Sequence, residues 1–198
     1  MTELLKTVLF DKHQDLDATI VEFGGWEMPI QYPAGILHEH MATRKKAGIF
    51  DVSHMGRLFF KGTDTLPFLQ KVLTNNAMAL DIGESQYTLI QNENGGAIDD
   101  AYLYRFKPDE YLLVVNASNR EKDVAHFENH LKAFQAVEMK DRTFEMAMIS
   151  LQGPLSKSII QQMVTKGALP EPARNCLSVV EIEGVETFLA RTGYTGEP

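Results

Sequence analysis

The sequence predicts an α+β fold with mostly antiparallel strands and flanking helices. Between residues 86 and 115 three β-rich runs are separated by two turn-forming clusters, Asn92-Glu93-Asn94-Gly95-Gly96 and Lys107-Pro108-Asp109-Glu110, which reads as a meander. Helical spacing comes in separate capped blocks, and no internal repeat or low-complexity segment interrupts the chain. The 198 residues suffice for one large domain or two small ones around a sizeable core, and 44% hydrophobic with 23% charged residues is ordinary globular composition.

The elements follow in order. Residues 19–33 begin as a short strand and break at Gly24-Gly25. Trp26, the only tryptophan, follows and needs burial for its ring and a partner for its N–H. Pro29 and Pro33 keep the next segment extended. A helix is predicted over Ala34–Lys46, with Ile36, Leu37, Met41 and Ala47 near helical spacing and Gly48 as its C-terminal cap. His38, Glu39 and His40 resemble metal ligands, but residues two apart on a helix do not share a face. Ile49–Phe60 reads as one strand with polar residues set into it. Asp51, Ser53 and His54 lack the convergence a nucleophilic triad needs, so hydrogen bonding within a bend is expected. Thr63–Leu73 reads as a short helix capped by Thr63 or Asp64, with Leu66, Leu69 and Val72 inward. After the meander, Ser118-Asn119-Arg120-Glu121 has the form of a capping box. The helix it opens carries Val124, Phe127, Leu131 and Phe134 on one stripe, the expected core. Met146–Leu151 is a strand, Gly153-Pro154 opens a helix through Met163, and Ser178–Glu183 pairs with Val185–Arg191 across Gly184.

Composition removes several functions. A net charge of -8 argues against general nucleic-acid binding. Cys176 is the only cysteine, so no internal disulfide forms and a reducing compartment is expected. The start lacks a basic region leading into an apolar run, and no stretch is long enough to span a bilayer, so a cytoplasmic protein without membrane partners is expected. His126 and His130 are four apart but belong to no four-ligand set, and no metal is expected.

The stretch carrying the chemistry is Asn94 to Tyr104. Two glycines bring the backbone into a turn, and Asp99 and Asp100 follow at the entrance to a strand. Strand side chains alternate, so one carboxylate can face a cleft while the other cannot. Taken alone, this is an ordinary solvated turn. The glycine-spaced loop Arg191–Pro198 is of the type that brings backbone close to a ligand.

Six segments together resemble one family. They are Phe23-Gly24-Gly25-Trp26-Glu27-Met28-Pro29, Phe50–Met55, Gly95–Asp100, Val114–Asp123, Leu151-Gln152-Gly153-Pro154 and Thr192–Glu197. In this order they resemble the N-terminal half of the aminomethyltransferases, the tetrahydrofolate-dependent T-proteins of the glycine cleavage system. The resemblance implies a folate-binding aminomethyltransferase N-terminal fold over residues 1–198, with a nested subdomain over about 52–140 and the family's C-terminal half absent. It implies transfer of an aminomethyl group from the lipoylated carrier (H) protein to tetrahydrofolate as co-substrate, giving methylene-tetrahydrofolate and ammonia. Asp99 matches the catalytic aspartate. Met55, Tyr87, Tyr104, Asn116, Tyr194 and Glu197 match folate-binding positions, Glu197 as the acceptor for pterin N–H groups. Two alternatives stay open: a folate-binding relative assisting iron–sulfur cluster assembly, and the folate domain of a dimethylglycine or sarcosine oxidising enzyme. The first typically carries a Lys-Gly-Cys-Tyr-x-Gly-Gln-Glu motif where this chain has Arg191–Glu197 without cysteine. A flavin domain preceding the second is disfavoured by the early methionine.

Overall fold

The computed structural model describes residues 3–170, 175–193 and 195–196. In chain order the strands and α-helices are β1 (Leu5–Lys6), α1 (Phe10–Asp15), β2 (Thr19–Phe23), β3 (Trp26–Gln31), α2 (Ile36–Lys45), β4 (Gly48–Asp51), β5 (Gly56–Lys61), α3 (Thr65–Val72), β6 (Glu84–Gln91), β7 (Ala97–Lys107), β8 (Glu110–Val115), α4 (Arg120–Leu131), β9 (Glu138–Asp141), β10 (Ile149–Gln152), α5 (Ser156–Met163), β11 (Val164–Lys166), β12 (Leu177–Ile182) and β13 (Val185–Ala190). The class is α+β, as the sequence predicts.

The organising layer is a five-stranded antiparallel sheet in the order β6-β7-β8-β5-β9. Its central strand β8 reads Glu-Tyr-Leu-Leu-Val-Val and is buried from Tyr111 to Val115, the continuous apolar run of a strand covered on both faces. Tyr111, Leu113 and Val115 meet Leu58, Phe60, Leu103 and the apolar stripes of α3 and α4, including Phe68, Leu69 and Phe127. Leu112 and Val114 face the other way, toward Tyr104, Phe59, Phe106 and Leu177 of β12. The rings of Phe60, Phe68 and Phe127 meet at centroid distances of 5.5–6.1 Å, within the range of favourable aromatic pairs.

Three smaller sheets surround this layer: β1-β3-β2, β4 with β10, and β11-β12-β13. The pairing of β4 with β10 matters for topology, because every strand of the large sheet lies between them in the chain. Gly153 follows β10 at φ +116°, and a Cβ there would stand 2.5 Å from the carbonyl oxygen of Thr43. Only glycine permits that approach of α2 to the end of β10.

Several local expectations are corrected. Ile49–Phe60 is not one strand; it breaks between β4 and β5 at residues 52–55. Gly48 does not cap α2 but begins β4, where a Cβ would meet the Thr43 hydroxyl at 2.3 Å. On α2 the apolar residues are outward: Ile36, Leu37 and Met41 are 56%, 82% and 43% exposed, and Thr43 is the buried side chain. The capping box is not made. Ser118 lies in a single 3₁₀ turn (Ala117–Asn119), Asn119 precedes α4, and no side chain caps it. The stripe on α4 does form the core, with Phe127 fully buried and Val124, Leu131 and Phe134 packed against it. The meander and the hairpin across Gly184 stand where the sequence predicts them, and the expected break at Gly24-Gly25 is the turn of a hairpin between β2 and β3.

Candidate active site

The two adjacent acids are separated by strand alternation and by the register of β7 on β8. Ala101 lies opposite Val115 and Leu103 opposite Leu113, on the face covered by α3 and α4. Asp99 shares that face and is buried, 6% exposed. Asp100, Tyr102 and Tyr104 take the other face, where Met55, Tyr87, Val114, Asn116, Thr192 and Gly193 join them around a cavity of about 230 Å³. Asp99 does not line that cavity; of the two acids, Asp100 does. Alternation separates the pair as expected, and Asp99, the acid expected at a ligand, stands on the covered face.

Asn116, just past β8, connects the two acids. Its backbone N–H donates to Asp99 Oδ2 at 3.0 Å, and its Nδ2 donates to Asp99 Oδ1 at 2.9 Å and to Asp100 Oδ1 at 2.8 Å. Asn119 Nδ2 donates to Asp99 Oδ1 at 2.6 Å. Burial pushes the Asp99 pKa up, but the donors on Asn116 and Asn119 outweigh it and hold the carboxyl below its ordinary value of 3.8. Tyr87 sits on β6 within reach of Asp100. Desolvation, then the nearby Asp100 charge, raise the Tyr87 pKa. Asp100 is thus an exposed carboxylate oriented by an amide, with a phenol nearby.

The aromatic wall continues along the same face of β7. Tyr102 and Tyr104 have ring centroids 5.3 Å apart, and Tyr104 stacks on Phe106 at 6.3 Å. The Tyr102 hydroxyl donates to Asn175 Oδ1 at 2.7 Å. Tyr104 is buried, whereas Tyr87 is 53% exposed and forms the rim. Met55 enters from the 52–55 bend, and Arg57 holds that bend. Only 2% exposed, Arg57 donates from Nη1 to the carbonyls of Ser53 and Met55, and from Nη2 to those of Thr143 and Met146. Burial lowers its pKa to about 10, with Asp141 and Asp51 opposing. Sequence reasoning missed this residue, although an arginine inside the apolar run Gly56–Phe60 is a signal that a buried cation needs acceptors.

The bend is hydrogen-bonded as expected. Asp51 Oδ1 accepts from the Ser53 backbone N–H at 2.9 Å, and Ser53 Oγ donates to the Met148 carbonyl at 3.1 Å. Asp51 also accepts from the Thr7 hydroxyl at 2.6 Å and pairs with His13 Nε2 at 3.0 Å; His13 Nδ1 lies 2.9 Å from the Tyr32 hydroxyl. His54 instead meets Phe23 edge-on. His126 and His130 have ring centroids 4.6 Å apart, and among the described residues no group of three or more His, Cys, Asp or Glu is placed to hold a metal ion. Nor is any described helix long and apolar enough to cross a membrane. Tyr194 and Glu197 lie outside the described residues. Thr192 and Gly193, which line the cavity, lead toward them.

The family model of the GCVT N-terminal domain matches residues 9–198. The chain belongs to that family. This GCVT N-terminal domain is 42% identical to an aminomethyltransferase of Desulfitobacterium hafniense over 100% of its own length and 53% of the relative's. It is 45% identical to the aminomethyltransferase of Rubrobacter xylanophilus, over 98% of this chain and 51% of that one. The domain thus spans about half the length of the curated relatives it matches. Among solved structures it resembles the glycine cleavage system aminomethyltransferase T of Bartonella henselae, at TM-score 0.88 and 33% identity, covering 98% of this chain and 52% of that one. A heterotetrameric sarcosine oxidase of Corynebacterium sp. U-96 shares the fold at TM-score 0.58 and 16% identity, over 79% of this chain and 77% of that one.

Proposed function

We propose that this chain is the folate-binding N-terminal half of an aminomethyltransferase of glycine cleavage. In this reading an aminomethyl group arrives on the lipoyl arm of the carrier (H) protein and passes to tetrahydrofolate. The products are methylene-tetrahydrofolate, ammonia and the reduced lipoyl arm, and the whole reaction belongs to a chain of the relatives' full length. The supporting observation is that one cavity brings together Met55 from a bend, Tyr87 from β6, Asp100 and Tyr104 from β7, and Asn116 from just past β8.

The residues fit a reduced folate chemically. Tyrosine faces and a thioether suit flat rings. Asp100, the one carboxylate lining the cavity among the described residues, can accept a hydrogen bond from a ring or bridge nitrogen and take or return its proton. Asn116 fixes the direction in which that carboxylate points, and Tyr87 stands beside it. Asp99, withdrawn from the cavity, acts through Asn116. Tyr194 and Glu197 are proposed to complete the pterin end, Glu197 as acceptor for its N–H groups.

Nuclear magnetic resonance of the chain titrated with tetrahydrofolate tests the reading, since it detects binding as weak as millimolar. The Met55 methyl and the Asn116 side-chain amide are expected to shift first. No shift at millimolar ligand, or shifts confined to another surface, would remove the proposal.

A further inference from the structure

The roles above leave unused a buried carboxyl group on the helix that follows Asn116. Asp123, in the first turn of α4, is fully buried, and no described N–H or hydroxyl group donates to either of its oxygens. An ionised carboxylate placed so would carry a heavy desolvation cost with no hydrogen bond to offset it. Its neighbour is Asp99, which reaches from β7 to the start of α4 and accepts there from Asn119, one helical turn before Asp123. A contact between two carboxyl groups is a hydrogen bond only when one of them keeps its proton. The other bonds decide which one. Asp99 receives N–H donors from the Asn116 backbone, the Asn116 amide and the Asn119 amide, all of which favour the charged form. Asp123 receives none.

We infer that Asp123 is a neutral carboxylic acid that donates its O–H to Asp99, making it the positioning residue for the cavity amide through the chain Asp123–Asp99–Asn116–Asp100. The link to catalysis rests on the role given to Asp100 above; the protonation and the hydrogen bond do not. A carboxylate offers about four acceptor directions, and the acid's O–H is the fourth donor on Asp99. Saturated in this way, Asp99 holds Asn116 at two points, which directs an Nδ2 hydrogen onto Asp100. Burial first, then the Asp99 hydrogen bond and charge, raise the Asp123 pKa to about 8, with Lys122 partly opposing. Lys122 spends its ammonium on the Ile98 carbonyl at 2.6 Å, and Lys71, the titratable side chain of α3, sits over the Phe134 ring.

Carbon-13 carboxyl resonances of the 198-residue chain, followed against pH without folate, test the inference. The Asp123 carboxyl is expected to titrate near pH 8, with Asp99 still ionised below pH 3.8. An Asp123 midpoint near 3.8 would overturn the inference, whatever any variant does. Asp123→Asn offers an amide N–H in place of the acid's O–H. It is expected to keep both Asn116 side-chain amide resonances at their original positions and to abolish the upper titration. Asp123→Leu keeps the volume without a donor, and should displace those resonances and raise the Asp99 midpoint. Equal effects from the two variants would also sink the idea. None of these readouts uses folate, so a failure to bind it counts against the proposed function alone.

Discussion

At the scale of single residues, the decisive fact is which of two neighbouring acids looks into the cavity. In a chain restored to the relatives' full length, Asp100→Asn is expected to lower turnover by about 10²–10⁴-fold, the usual contribution of a general acid–base group. Asp99→Asn removes an acceptor two bonds further back. It is expected to weaken folate binding and turnover together by about tenfold, because Asn116 loses its anchor. Ammonia release from an aminomethylated carrier protein compares the two, and a larger loss at Asp99 would refute the placement. Part of this was legible in the sequence, since alternation alone says that only one of the pair can serve. Which one depends on register against β8, and a shift of one residue exchanges the faces. That register is set by strand partners and not by any pattern in Asn94–Tyr104. Arg57 makes a second point at this scale. Arg57→Met would orphan the carbonyls of Ser53, Met55, Thr143 and Met146, each worth about 1–3 kcal/mol when buried without a partner. Chemical denaturation should show at least about 3 kcal/mol of lost stability.

At the scale of elements, α4 was legible where its stripe met the core and illegible at its start. Phe127 is fully buried against Phe60 and Phe68, so Phe127→Ala should cost about 3–5 kcal/mol. Ser118→Ala, by contrast, should change stability by less than about 0.5 kcal/mol, because the cap suggested by Ser118 and Glu121 is not formed. Asn119, which precedes the helix, spends its amide on Asp99 instead, a long-range demand that no local signature contains. Helix α2 fails for a related reason. Periodicity shows that Ile36, Leu37 and Met41 share a side, but not whether anything covers it, and here Thr43 is turned inward against the backbone. The meander succeeds because its turns are made of local chemistry, glycine and asparagine at Asn92–Gly96, and its strands need no distant information to pair.

At the scale of the whole molecule, the acid pair gives stability a pH signature. Asp99 has its folded pKa below 3.8, so its contribution is present above that value and lost as the pH falls through the folded pKa. Asp123 has the opposite sign. Its folded pKa of about 8 exceeds the unfolded value, so its contribution is complete below pH 3.8 and declines as pH rises toward 8. Thermal unfolding should therefore show stability falling between pH 5 and pH 8 by a few kcal/mol from this group, a slope that Asp123→Asn should remove. A wild-type chain with no such slope would contradict the assignment.

The pairing of β4 with β10 also has a consequence in time. It is a clasp, shut on either side of everything from Gly56 to Asp141. Hairpins and the meander can gather early from near neighbours, whereas the clasp must wait for chain ends that the finished sheet carries together. Interactions formed after the transition state govern how fast the native state is lost, with little effect on how fast it is reached. Gly153→Ala, which would press a methyl group on the Thr43 carbonyl where the clasp closes, should steepen nothing in the refolding limb of a chevron plot and raise the unfolding rate throughout. The residues that decide how long this protein lasts are then not those that decide how quickly it forms.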